Sequence, residues 1–255
     1  QQVLISMINR DVLEKKYGDK VSAQEVDDAY NGMAEQYGDS FAAALASASL
    51  TEETYKDQIR TNKLVEYAVK KAAEKELTDD AYKSAYEAYT PEVTARIIRL
   101  DDETKAKEVL ASAQAEGADF AQLAKDNSTD TNTKDDGGKI TFDSSSTTVP
   151  TEVKTAIFAL DAGQVGASVI SVLDTSTYTT SYYVVKLESK TEKSDNWKDY
   201  KDKLKEIILA EKQADSTFVS NVIKTALQDA NVKVKDSAFQ NLLSQYITTE
   251  ESSSS

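Results

Sequence analysis

Apolar residues recur at helical spacing almost without a break over residues 1–90. Leu4, Ile8, Val12 and Leu13 repeat every three or four positions and stop at Gly18, which predicts a first helix. Ser22 and Glu25 form a capping-box pattern ahead of Val26, Tyr30, Met33 and Tyr37, and Gly38 ends that run. A short alanine-rich helix is expected from Ser40 to Ala48. Thr51 caps a long helix with Glu52 and Glu53 in its first turn and Lys70 and Lys71 later, the order the helix dipole favours. Thr78 caps another helix, carrying Tyr82, Tyr86 and Tyr89, which Pro91 ends.

From Val93 the period changes. VTARIIRL reads as a strand, followed by an amphipathic helix from Glu103 to Glu116 and a second short helix in ADFAQLAKDNS. DTNTKDDGG is a polar loop ending in paired glycines, KITF a short strand, and PTEVKTAIFAL a helix with Pro150 near its first turn. ASVISVL and TYTTSYYVVKLE then read as two strands joined around Asp174 to Thr177. The order β-α-α-β-α-β-β predicts a compact α+β unit. Helical spacing returns from Asp195, taken as an N-cap, through Leu204, Ile207, Ile208, Phe218, Val222, Ile223 and Leu227. A last helix is expected in SAFQNLLSQYI, and the polar tail 248–255 cannot pack. Both helical flanks are amphipathic, so they are expected to bury their stripes partly on each other. The expected organisation is a helical part at 1–91, an inserted α+β domain at 92–191, helices at 192–247 completing the helical domain, and a disordered tail.

Composition narrows the chemistry. With 44 acidic against 30 basic residues and a net charge of −14, the chain is poorly suited to phosphate backbones, so a nucleic-acid partner is not expected. There is no cysteine and no histidine, which excludes disulfides, thiolate zinc sites, cysteine nucleophiles and imidazole acid–base chemistry. Asp135 and Asp136 before Gly137 and Gly138 lack the ligand spacing of a calcium loop and read as solvated, so no metal or other cofactor is expected. No GxxxxGK[ST] loop occurs, so an ATP-driven mechanism is not expected either. The opening QQVLISMINRDVLEKKYG lacks the features of a signal peptide and reads as starting inside a helix.

The central segment resembles the parvulin family of peptidyl-prolyl isomerases. TARIIRL with the following GADFAQLAKDNSTD, then GGKITF, then VPTEVKTAIFALDAGQVG and the closing YYVVKLE carry the likeness in the family's order. The flanks, among them QEVDDAY, QYGDSF, TEETYKDQIRTNKLVEYAVKKAAEKELTDD and KDYKDKLKEIIL, look like PrsA-type foldases, membrane-anchored secretion lipoproteins of Gram-positive bacteria. The resemblance implies a four-stranded antiparallel sheet wrapped by helices and inserted into a helical domain. It also implies clients that are unfolded or nascent exported polypeptides, held in a cleft between the two domains. The expected location is the outer face of the cytoplasmic membrane, reached through an N-terminal lipid anchor preceding Gln1. A homodimer through residues 1–90 is implied as well.

The same resemblance nominates site residues. Arg96 and Tyr183 stand where the family commonly has two histidines, and Asp130 stands at its acidic position. Phe142, Val149, Val153, Phe158 and Tyr183 are placed along the substrate groove. Arg96 could pair with Asp130 in place of a histidine network, although a guanidinium fork fills space differently from an imidazole. Each candidate also has an ordinary reading. Tyr183 packs in a strand, Phe158, Val149 and Val153 form core, Asp130 shapes a turn, Arg96 makes a structural ion pair, and the early tyrosines pack within the helices or line a cleft. Three functions follow: an ATP-independent foldase with weak or absent isomerase activity, an active isomerase using Asp130, Tyr183 and the Phe158 pocket, or a surface adhesin or scaffold.

Overall fold

The computed structural model describes residues 2–232, with side chains from residue 7 onward, so the helix and tail expected beyond Val234 lie outside the described residues. The chain divides into two compact units, Gln1–Tyr82 with the segment from Lys205 onward, and Lys83–Leu204. The segments flanking the sheet, 83–91 and 192–204, therefore belong with it. Lys193 fixes them, donating from Nζ to the carbonyls of Tyr86 and Tyr89 (2.5 and 2.6 Å) and lying 4.1 Å from the Tyr86 ring centroid.

The helical unit contains α1 (Gln2–Tyr17), α2 (Ala23–Tyr37), α3 (Phe41–Ser47), α4 (Glu52–Glu74), the start of α5 (Asp79–Ala88), most of α9 (Lys201–Ala214) and α10 (Ser216–Asp229). The Ser22–Glu25 capping box forms, Thr51 caps α4, and Thr78 Oγ accepts from Ala81 N. Leu13, Val21, Val26, Leu64, Ala68 and Ala226 form its core, so the stripe of α10 is buried on α1 and α4 from the other end of the chain. Lys16 and Asp229 close that contact at 2.9 Å. The segment after Asp195 is not one helix. Asn196, rather than Asp195, caps a single tight turn at 197–200, and Asp215 breaks the run, its carboxylate accepting from Thr217 N and Phe218 N to start α10. Aspartate competes for backbone donors in this way, ending one helix and capping the next.

In the other unit β1 (Val93–Leu100), β2 (Lys139–Phe142), β3 (Ile170–Asp174) and β4 (Thr179–Lys190) form an antiparallel sheet in the order β2-β1-β4-β3. With α6 (Glu103–Ala113), α7 (Phe120–Asn127) and α8 (Thr151–Phe158) this is the expected α+β architecture. Strand residues alternate between faces. Ile98, Leu100 and Val184 pack against α6 and α7, while Ala95, Ile97, Val185 and Leu187 pack against α8. The paired glycines let the loop after α7 return under β1. Gly138 has φ +74°, donates to Thr133 O, accepts from Ile97 N at 2.8 Å, and a Cβ there would lie 2.1 Å from Ile97 O. Only glycine combines that dihedral with that approach.

Candidate functional site

The β-branched and aromatic run of β4 pairs along its length with β1, and the register sets Arg99 opposite Tyr183 on one side and Ile170 opposite it on the other. Tyr183, Ser181, Ile170 and Val172 therefore share the α8 face of the sheet with Ile97 and Arg99. Phe142 enters from β2 and Phe158 from the end of α8, their rings 5.5 Å apart and inclined by 60°, an edge-to-face contact. Val149 leads into α8 and Val153 sits on its inner side.

These side chains form a core more than a groove. Val153 is 0% exposed, Phe142 5% and Val149 8%, so of the expected groove wall Val153 is sealed away and Phe142 and Val149 offer little surface. The reason is the helical period. Val153 and Ile157 fall on the buried stripe of α8, and Phe158, one position on, stays partly open beside Ile170 and Val172. Phe158 is thus the groove residue with apolar surface to offer.

Tyr183 is 9% exposed, and its hydroxyl makes no hydrogen bond among the described residues. Burial pushes its phenol pKa up, Arg99 opposes the shift, and Asp130 and Asp101 reinforce it. The phenol therefore keeps its proton through the neutral range and presents a neutral O–H donor at the rim of an apolar surface. Asp130 is close enough to be felt by Tyr183, but its own oxygens are committed to a turn. Oδ1 accepts from Asn132 N at 3.1 Å and Oδ2 from Thr133 Oγ at 2.6 Å. The buried Ser128 ties this turn to β1, accepting at Oγ from both Arg99 N and Asp130 N at 3.2 Å.

Arg96 does not join them. It lies on the α6–α7 face, where Nε donates to Glu188 and the guanidinium donates to the carbonyls of Asp136 (3.0 Å) and Gly137 (2.8 Å). The proposed pairing of Arg96 with Asp130 is therefore corrected. The register that sets Arg99 against Tyr183 places Arg96, three residues away, on the opposite side of the pleat. Asp135 and Asp136 sit in a short exposed turn, and the Asp136 backbone carbonyl accepts from Arg96.

Sequence reasoning missed Arg99. It donates from Nε to Ser181 Oγ at 3.1 Å and has Asp101 at 3.9 Å. The parity of the apolar positions in β1 carried the signal, since Ala95 and Ile97 share a face with position 99 and not with 96.

A family profile described as the rotamase, PPIC-type PPIase domain matches residues 97–189, which hold most of this sheet and its three helices. The foldase protein PrsA of Streptococcus gordonii is 62% identical over 255 residues, covering 100% of this chain and 82% of the relative. A crystal structure of foldase protein PrsA from Streptococcus pneumoniae matches with TM-score 0.89 at 58% identity, covering 97% of this chain and 90% of that one. The PrsA structure from Lactococcus lactis matches with TM-score 0.79 at 34% identity, covering 96% and 88%. With a rotamase-type sheet whose phenol-bearing strand is Thr179–Lys190, and with relatives matched along its whole length, the chain belongs to the PrsA foldase family.

Proposed function

We propose that this chain is an ATP-independent foldase acting outside the cytoplasmic membrane on unfolded exported polypeptides, and that its rotamase-type domain grips chains while catalysing prolyl isomerisation weakly or not at all. The observation that carries this reading is the commitment of the polar groups around Tyr183. Arg96 is tied to Glu188 on the far face and Asp130 to its own turn, which leaves the Tyr183 hydroxyl and the terminal nitrogens of Arg99, held through Nε by Ser181, as the donors on this face. An X-Pro bond faces a barrier of about 18–20 kcal/mol and turns over unaided in about 10–100 s. An apolar surface with a phenol and a partly exposed guanidinium can hold a twisted amide, but with Arg96 and Asp130 committed elsewhere no wider polar network is preorganised there to lower that barrier.

A protease-coupled assay on X-Pro peptides tests this. Turnover close to background is expected, with any residue of activity lost in Tyr183→Phe, which keeps the ring and removes the hydroxyl. The second reading is an active isomerase, favoured by the free Tyr183 hydroxyl itself. Clear catalysis that disappears in both Tyr183→Phe and Asp130→Ala would establish it and remove the first. A lipid anchor preceding Gln1 and self-association through residues 1–90 belong to the same reading. The precursor sequence tests the anchor, and light scattering that returns one protomer mass at high concentration removes the dimer.

A further inference from the structure

The helical unit carries an apolar groove outside the rotamase-type domain. Met33 and Tyr37 of α2, Phe41 and Leu45 of α3, Leu50 and Tyr55 line a cavity of about 190 Å³. Tyr37 is 51% exposed. Rings frame it, with Phe41 5.8 Å from Tyr55 and 6.3 Å from Tyr37 between centroids. The seven-residue α3 is anchored by Phe41, and the exposed Ala44 and, just after the helix, Ala48 complete the apolar lining. The volume is below the roughly 300 Å³ of small-molecule sites, which suits one or two anchoring side chains of a peptide rather than a cofactor.

Charge selects the occupant. Between residues 23 and 57 eight acidic residues stand against one basic residue, Lys56. Three of the eight are already paired, Asp27 and Glu52 with that lysine at 2.8 and 2.7 Å and Asp57 with Arg10 at 3.1 Å, so the charge beside the lining residues rests on Asp39 and Glu53. Asp39 sits between the lining residues Tyr37 and Phe41, and Glu52 and Glu53 follow Leu50 almost directly. A second copy of this surface would bring the same acidic rim against itself on a chain of charge −14. We infer that this groove is a docking site for extended client segments in which large apolar side chains alternate with lysine or arginine. The apolar side chains enter between Tyr37, Leu45 and Tyr55 while the cations meet the acidic rim. The inference rests on the foldase reading for the nature of its occupant.

The test uses the full chain and three short labelled peptides, alternating leucine with lysine, with serine or with glutamate, read by fluorescence anisotropy. The lysine peptide is expected to bind at least about tenfold more tightly than the glutamate peptide. Salt should narrow the gap, since the screening length falls from about 10 Å at 0.1 M to about 3 Å at 1 M. Tyr37→Ser should weaken the lysine peptide, and Ala44→Glu the serine peptide, whose uncharged side chains gain nothing from the added carboxylate, each by at least about tenfold, with both exposed-site variants checked for unchanged helicity. Asp39→Asn with Glu53→Gln should reduce the lysine preference and leave the serine peptide unchanged. Equal binding of the lysine and glutamate peptides, no binding of the lysine peptide, or indifference to Tyr37→Ser and Ala44→Glu would overturn the inference. So would Ala44→Glu halving the solution mass of the peptide-free protein, which would give the groove to a second copy. Suppression of client aggregation by the unaltered chain separates the two readings. If suppression persists undiminished in the groove variants, the groove fails and the foldase reading stands; if the unaltered chain shows none, the foldase reading itself fails.

Discussion

Phe142 and Phe158 meet inside a sheet closed by α8, whereas Tyr30, Tyr37, Phe41 and Tyr55 gather around a short helix that cannot close over them. Both clusters are aromatic and both sit in units with a continuous core. The difference lies in the cover. Four strands and flanking helices give the sheet unit apolar partners on two faces, so Val153, Ile157, Val184, Val185 and Leu187 reach 0% exposure. The helical unit covers its ring cluster with seven residues, mostly alanine, which bury little and leave a rim in water. Packing is thus incomplete in the helical unit around Tyr37, while in the sheet unit Phe158 keeps the open apolar edge.

Core truncation gives the largest test of this contrast. Ile157→Ala in α8 should cost about 2–5 kcal/mol in denaturant unfolding, while Leu45→Ala in half-buried α3 should cost about 1 kcal/mol. Equal losses would break the contrast, because they would mean that the groove is packed as tightly as the sheet.

A smaller test concerns two arginines with matching roles. Arg60 forks onto Glu14 (2.8 and 2.6 Å) and donates to the carbonyls of Val21 and Gly18 (2.7 and 2.9 Å), just as Arg96 holds Glu188 and two carbonyls of its loop. Arg60→Ala and Arg96→Ala should each destabilise by about 1.5–3 kcal/mol, and lysine should rescue neither fully because it lacks the planar fork. Prolyl isomerisation that falls in Arg96→Lys without loss of stability would return Arg96 to the site.

The smallest effect is electrostatic and appears in both units. Burial pushes Asp143 up, but hydrogen bonds from Ser145 and Lys203 outweigh it and hold the carboxyl below its usual value. Glu14 is likewise held down, chiefly by its hydrogen bond to Arg60. A carboxyl lowered in the folded state contributes stability above its unfolded pKa, and that contribution is lost as pH falls through the folded value. Thermal stability should therefore drop as pH goes below about 4. Lys203→Ala should flatten the acid limb in the sheet unit, and an unchanged slope would assign the loss to other carboxylates.

Much of the fold was legible along the chain because its signals are local. The Ser22–Glu25 box, the Thr51 and Thr78 caps, the paired glycines and the switch from period 3.6 to period 2 at Val93 each report on a few neighbouring residues. The site was less legible. Arg96 and Arg99 are both basic residues in one strand; the parity of Ala95 and Ile97 separates their faces, but only the partner strand's register sets Tyr183 opposite Arg99.

The sequence by itself determined the elements, their order, the absence of imidazole and thiol chemistry, and the family to which the pattern belongs, since these depend on residue type and near spacing. Tertiary structure alone decided two things: that Arg96 holds Glu188 and the carbonyls of Asp136 and Gly137, and that Tyr37 stays open beside the buried Phe41 ring. Each depends on what a distant segment places against a side chain, and no local period encodes that.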